Sequence, residues 1–409
     1  MARSLPTRVA GFAALLLVVG AHAAVQRATV SSDGTAATGV PVIDLAAPEA
    51  EVADQVAAAC SEWGFFEVTN HGVDPALIKR FEEGMHSFFA LPMDEKLSLR
   101  RGPSNARGYF DDELTKQRRD WKEALDFGVP GSRDWTLPDE HASNGCLDGY
   151  NRFPDAASLP LFRPAMVDYF AACTDLSERI AALMSLGLGM PADHFSNLLR
   201  SRHTSYLRMN YYPVAPNVTE GTLGISPHTD AGFLTVLIQD DGVHSLQVRH
   251  RSSGEWTTVA PTPGALTINT GDMAQIWSNG RYRAPEHRVQ THPTDVRYSA
   301  PFFYNPGYLT PVAPLPSLGE PQYNPCVWGY FRAQRFAGDF ADFGTEIQTS
   351  AFELGSLSPH LERQQAFLEG ADPSEPFSVE RYRHLLQMPA RDAGAGALRG
   401  VQARGRAGS

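Results

Sequence analysis

From His203 to about residue 306, short apolar, aromatic and threonine-containing runs are separated by Pro, Gly and Asn. They include "YLRMNYYP", "GFLTVLIQD", "HSLQV", "EWTTVAP", "GALTINTGD" and "RYSAPFFYNP". Breakers about every eight to twelve residues forbid long helices and leave room for short strands joined by turns. This rhythm predicts a β-sandwich or barrel.

The flanks read differently. "VPVIDL" (Val40 to Leu45) is a short strand, and Val52, Val56, Cys60 and Trp63 share one helical face. "GFFEVTN" is a strand turned by "HGV", and a second helix buries Leu77, Ile78, Phe81, Met85, Phe88 and Phe89 before Pro92 ends it. Residues 100–152 mix charges with glycines and read as loop. A third helix uses Met166, Phe170, Cys173, Ile180 and Met184, and a C-terminal one is expected through Trp328, Phe331, Phe340, Phe343 and Ile347. The tail after Ala390 is rich in Gly, Ala and Arg and is expected to be disordered.

Arg3, Arg8, the apolar run "GFAALLLVVG" and the small residues "AHA" make residues 1–24 a signal- or transit-like leader, pointing to the secretory pathway or an organelle; without its action the chain is expected in the cytoplasm. No other stretch approaches membrane-spanning length. With 35 basic and 46 acidic residues the net charge is −11, which argues against nucleic acid and leaves a small molecule as the expected partner. The four cysteines form no C-x-x-C, so neither a zinc-thiolate cluster nor a disulfide framework is indicated.

His228 and Asp230 stand two apart in "ISPHTDAGFLTVLIQDD". On a strand they would share a face. From the abundance of His and acidic residues, about 1.5 such pairs are expected by chance, and the chain has a second at His360 and Glu362. A third candidate ligand, His287 in "WSNGRYRAPEHRV", raises the weight of the first pair. Two histidines and a carboxylate with open positions form the facial triad of non-haem Fe(II) oxygenases, whereas a closed zinc site needs four ligands. Arg297 and Ser299 follow on a predicted strand, where an arginine fork and a hydroxyl could hold a carboxylate.

Here the chain resembles the 2-oxoglutarate- and Fe(II)-dependent oxygenases of the isopenicillin N synthase-like family, over about residues 40 to 350. The likeness rests on "VPVIDL", "GFFEVTNHGV", "RGY", "DWKE", "MNYYP", "HTDAGFLTVL", "LQV", "PTPGALTINTGDMAQIWSNGRYRAPEHRV" and "RYSAPFFYNP". It implies an α+β fold: a double-stranded β-helix (jelly-roll) core with an N-terminal α/β region and C-terminal helices. The expected divisions are 1–24 leader, 40–130 N-terminal dioxygenase region, 131–200 helical connection, 201–306 jelly roll, 307–390 helical extension and 391–409 tail. By the resemblance His228, Asp230 and His287 bind iron, Arg297 and Ser299 clamp 2-oxoglutarate with Tyr212 as a further donor, and Asn210 supports them. The cofactors implied are Fe(II), 2-oxoglutarate and O2, with ascorbate as a candidate addition.

The expected activity is oxidation of a small organic metabolite, by hydroxylation or desaturation, with release of succinate and CO2. One alternative is an iron oxidase of the same family that does not consume 2-oxoglutarate; another is a non-catalytic ligand-binding jelly roll. A monomer is expected, with residues 100–152 and the C-terminal helix lining the substrate pocket. His71, His244, His250 and His292 are read as structural, as are Trp277, Asn279, Gly280 and the C-terminal aromatics. "NVT" at 217–219 would be a glycosylation sequon only in the secretory pathway.

Overall fold

The computed structural model describes residues 39–101, 107–116, 118–128, 151–199, 203–216, 222–240, 242–337 and 346–370. The leader, the sequon and the C-terminal tail lie outside them. Among the described residues no helix is long and apolar enough to cross a membrane.

The N-terminal region opens with a β-α-β unit. Strand β1 (Val42–Asp44) and strand β2 (Phe65–Thr69) pair in parallel, joined by helix α1 (Glu49–Glu62), which buries Val52, Val56 and Cys60 as its spacing predicts. Gly64 starts β2 at φ 66°, where a Cβ would lie 2.5 Å from the Arg283 carbonyl oxygen. A side chain there would push β2 off the segment leading to His287. In helix α2 (Pro75–Phe89) the Asp74 carboxylate caps the Ala76 amide, and Leu77, Phe81, Met85, Phe88 and Phe89 are buried. Pro92 both ends this run and precedes a second helix, α3 (Met93–Ser98), because proline is tolerated at a helix start.

The span read as loop carries strands β3 (Gly108–Phe110), β4 (Leu114–Thr115), β5 (Arg118–Arg119) and β6 (Glu123–Gly128). The loop expectation is corrected most sharply at β6, which is buried along most of its length. Asp126 breaks its apolar pattern and is buried because Arg208 meets it with two hydrogen bonds of 2.8 Å. Helix α4 (Phe162–Gly187) buries Met166, Phe170, Cys173, Ile180 and Met184, and Phe170 meets Phe302 edge-on at 4.7 Å. The short helix α5 (His194–Leu199) follows.

Next come β7 (Tyr206–Tyr212), β8 (Leu223–His228), β9 (Leu234–Gln239), β10 (Leu246–Arg249), β11 (Trp256–Thr258) and β12 (Leu266–Thr270). Helix α6 (Asp272–Trp277) leads to β13 (His287–Gln290) and β14 (Arg297–Tyr304). The chain continues through β15 (Pro311–Val312), β16 (Cys326–Val327), α7 (Trp328–Ala337) and α8 (His360–Glu369). Of the C-terminal helix expected through Trp328, Phe331, Phe340, Phe343 and Ile347, the first two lie on α7, Phe340 and Phe343 fall outside the described residues, and Ile347 lies in irregular chain.

One sheet has eight strands in the order β1-β2-β12-β9-β14-β7-β6-β3, and a second has four, β11-β10-β13-β8. Four strands of the larger sheet therefore come from residues upstream of the predicted jelly-roll span. Between the sheets lies a small apolar cluster of Phe65, Tyr212, Leu237, Leu246, Val248, Val259 and Val289. The main core is separate and includes the buried faces of α1, α2 and α4. Cys60, Cys173 and Cys326 are free and buried, behaving as small apolar residues.

Candidate active site

His228 ends β8 and His287 begins β13, directly opposite each other in the antiparallel ladder. Their ring centroids are 4.3 Å apart. Asp230 is not on the strand, so the shared-face argument for the His-x-Asp pair fails. It sits in the turn toward β9, and that turn is docked onto the start of α6. Asp272 N–H donates to the Asp230 carbonyl (2.8 Å), Met273 N–H to that of Gly232 (2.9 Å) and Gly271 N–H to that of Phe233 (2.9 Å). A Cβ on Gly271 would come within 2.2 Å of the Gly232 oxygen, so the close approach requires glycine.

The three side chains converge. Asp230 Oδ1 lies 3.7 Å from His228 Nε2 and 3.6 Å from His287 Nε2. Both separations are below the roughly 4.2 Å spanned by two metal–ligand bonds of about 2.1 Å. Each imidazole is fixed from behind: Nδ1–H of His228 donates to the Ser226 carbonyl (2.8 Å) and that of His287 to the Pro285 carbonyl (3.1 Å). The Nε2 lone pairs are thereby left for a metal. Asp230 Oδ2 accepts from Thr235 Oγ1 (2.6 Å) and Asn269 Nδ2 (2.7 Å), which leaves Oδ1 free to ligate a metal. Burial, with the neighbouring His287, pushes the His228 pKa down to about 3. Burial raises the Asp230 pKa, but the two histidines and the bonds from Thr235 and Asn269 outweigh it and hold the carboxyl below its ordinary value. At neutral pH His228 is thus neutral and Asp230 anionic, as metal binding demands.

The predicted clamp lies on β14 and β7 of the larger sheet, lining the same cavity of about 140 Å³. Arg297 pairs across the ladder with Tyr212, and Ser299 with Asn210. All four are buried. The Arg297 guanidinium donates through Nη2 to Gln239 Oε1 (2.8 Å) and lies 5.1 Å from the Tyr212 ring centre. Its Nε and Nη1 have no hydrogen-bond partner, nor does Asn210 Oδ1. Burial lowers the Arg297 pKa. A charged donor left unsatisfied among Leu237, Leu246 and Val289 is costly unless an anion completes it. A carboxylate of a ligand would do so by a two-bond fork.

A second wall was not anticipated residue by residue. Lys122 donates to Glu113 (2.6 Å) and lies 3.1 Å from Asp120; Arg208 bonds Glu113 (2.9 Å) and Asp126. These buried pairs bring Glu113, Lys122 and Arg208 to the cavity, while Trp328, Arg332 and Arg335 of α7 close another side. The pairing leaves no local periodic mark in the sequence. Thr235, Gln239 and Asn269 were missed for the same reason, although their polar character on buried strands was a readable signal.

Among the described residues the other histidines do not join the site. His71 Nε2–H donates to the Gly264 carbonyl (3.2 Å) while Nδ1 accepts from Val73 N–H (3.1 Å), which makes it a turn residue. His360 and Glu362 lie on α8, where residues two apart point to different faces. His360 Nδ1 instead shares a 2.8 Å hydrogen bond with the Tyr330 hydroxyl. His360→Ala is expected to cost about 1 kcal/mol of stability and to leave Fe(II) affinity unchanged, as thermal melting and metal titration would reveal.

Two facing sheets with a two-histidine, one-carboxylate set and a buried arginine define a non-haem metal oxygenase. The comparisons agree. Residues 203–306 match the profile of the 2OG-Fe(II) oxygenase superfamily, and residues 40–156 match that of the non-haem dioxygenase in morphine synthesis N-terminal region. The chain is 37% identical over 292 residues to jasmonate-induced oxygenase 3 of Arabidopsis thaliana, covering 69% of this chain and 76% of that one. It is also 37% identical over 275 residues to gibberellin 20 oxidase 2 of Oryza sativa, covering 67% of each. Among solved structures, JOX2 in complex with 2OG, Fe and JA matches with a TM-score of 0.62 and 30% identity, over 80% of this chain and 89% of that one. The chain belongs to the 2OG-Fe(II) oxygenase superfamily. It is accordingly an Fe(II)- and 2-oxoglutarate-dependent dioxygenase acting on a small organic metabolite.

Proposed function

We propose that His228, Asp230 and His287 hold Fe(II), and that Arg297, Ser299 and Tyr212 hold the distal carboxylate of 2-oxoglutarate. The observation that carries this reading is the pair of unpartnered nitrogens on buried Arg297, in the cavity that also contains the triad. Bound Fe(II) with O2 supplies the oxidative decarboxylation of 2-oxoglutarate to succinate and CO2, coupled to hydroxylation or desaturation of the substrate.

The chain's own residues orient and shield. Ser226 and Pro285 fix the imidazoles, and Thr235 and Asn269 fix the carboxylate, so no reorganisation is needed when metal enters. Leu237, Leu246 and Val289 keep the clamp in apolar surroundings, where a charge-assisted bond is strongest. The substrate occupies the remaining space between the Glu113–Lys122–Arg208 wall and α7, next to the metal site.

Succinate release measured against 2-oxoglutarate concentration tests this reading. Ser299→Ala removes one bond to a carboxylate, worth about 1.5–3 kcal/mol, and is expected to raise the KM for 2-oxoglutarate roughly ten- to a hundred-fold. An unchanged KM would remove Ser299 from the clamp. Substrate oxidation at full rate without 2-oxoglutarate, and without succinate, would favour the 2-oxoglutarate-independent alternative.

A further inference from the structure

We propose that Arg335 is a positioning residue for the metal centre, through which helix α7 fixes the turn that carries Asp230. The inference rests on the reading of His228, Asp230 and His287 as the iron ligands. Arg335 is buried at the cavity and touches none of the three. Its Nη1 donates to the carbonyl of Thr229 (3.3 Å), the residue between His228 and Asp230. Its Nη2 donates to Asp272 Oδ2, and the Asp272 N–H in turn holds the Asp230 carbonyl at 2.8 Å. One guanidinium therefore grips the ligand-bearing turn twice: directly at the peptide before Asp230, and through Asp272 at the peptide after it.

The grip has an outer support. Glu346 Oε2 lies 3.7 Å from Arg335 Nη1, and Glu346 Oε1 accepts from the Lys116 N–H at 2.9 Å. Glu346 thus ties the chain at Lys116 to the arginine. Asp272 is fully enclosed. Removing Arg335 would leave this buried carboxylate without its countercharge and the Thr229 carbonyl without its donor. That loss loosens the α6 start on which the turn is docked. Lysine would keep the charge, but its single ammonium cannot reproduce a fork that spans the Thr229 carbonyl and the Asp272 carboxylate.

Partners one layer behind metal ligands are worth about 10–100-fold in metal affinity, and that range is expected here. The experiment titrates Co(II) alone into full-length protein, wild type and Arg335→Met, Arg335→Lys and Lys79→Ala variants. Binding is read by calorimetry, and ligand geometry by the visible spectrum of bound Co(II). Lys79 forms an exposed ion pair with Glu83 and serves as the control. Arg335→Met is expected to bind Co(II) roughly ten- to a hundred-fold more weakly with an altered spectrum, Arg335→Lys to fall between, and Lys79→Ala to match wild type. Wild-type affinity and spectrum in a folded Arg335→Met overturn the proposal while leaving the triad standing. If that variant does not fold, wild-type behaviour of Arg335→Lys overturns it equally. Absence of Co(II) binding by the wild-type protein would instead sink the triad reading and this inference with it.

Discussion

Asp230→Ala is expected to abolish succinate release while leaving a folded protein, and His228→Ala and His287→Ala to do the same. In the proposed site the three side chains are the protein's ligands, and two remaining ligands would bind Fe(II) too weakly to be filled under assay conditions. Asp230 is the most sensitive position, because it is the only anion of the set and also accepts from Thr235 and Asn269. Its removal leaves two buried donors unsatisfied, at about 1–3 kcal/mol each, so melting temperature should fall further for Asp230→Ala than for His228→Ala. Succinate release with saturating 2-oxoglutarate, paired with Fe(II) titration and thermal melting, is the measurement. Full turnover by any of the three variants sinks the triad assignment.

Arg297→Ala is expected to weaken 2-oxoglutarate binding by about two to four decades. Removing one partner of a buried ion pair costs roughly 3–5 kcal/mol, and every 1.4 kcal/mol is about tenfold in affinity. Arg297 has the required setting: it is 2% exposed, donates to Gln239, and keeps Nε and Nη1 unfilled. Arg297→Lys should recover part of the loss, because charge remains while the fork is gone. Anaerobic calorimetry of 2-oxoglutarate binding to Fe(II)-loaded protein reads both variants. Affinity within tenfold of wild type for Arg297→Ala would mean that the co-substrate is held elsewhere.

The candidate site is legible in the sequence where its residues belong to a local pattern. His287, Arg297 and Ser299 stand in an ordered series of short strands, and alternation places Arg297 and Ser299 on one buried face of β14. Helices α1, α2 and α4 were legible for the same reason, since their apolar spacing is a property of neighbouring turns. Asp230 was identified for a mistaken geometric reason, its place being set by docking of a turn onto α6. Strand β6 was invisible because Asp126 is buried only in the company of Arg208, 82 positions away. Glu113, Lys122 and Arg335 were hidden likewise: a charge in sequence looks solvated until the folded chain brings its opposite alongside.

The larger sheet has a consequence for how this catalyst could be divided or recombined. Strand β12 is flanked by β2, and β7 by β6, so two strands of the ligand-bearing stretch are interior only because upstream chain pairs with them. A piece excised at 203–306 would carry all three proposed iron ligands and Arg297, yet end in two raw rims of unpaired peptide groups ready to recruit any extended chain nearby. The heritable module is therefore longer than the stretch that holds the chemistry. A graft between relatives that respected only the proposed ligands would move the reacting groups without the strands that cover their sheet.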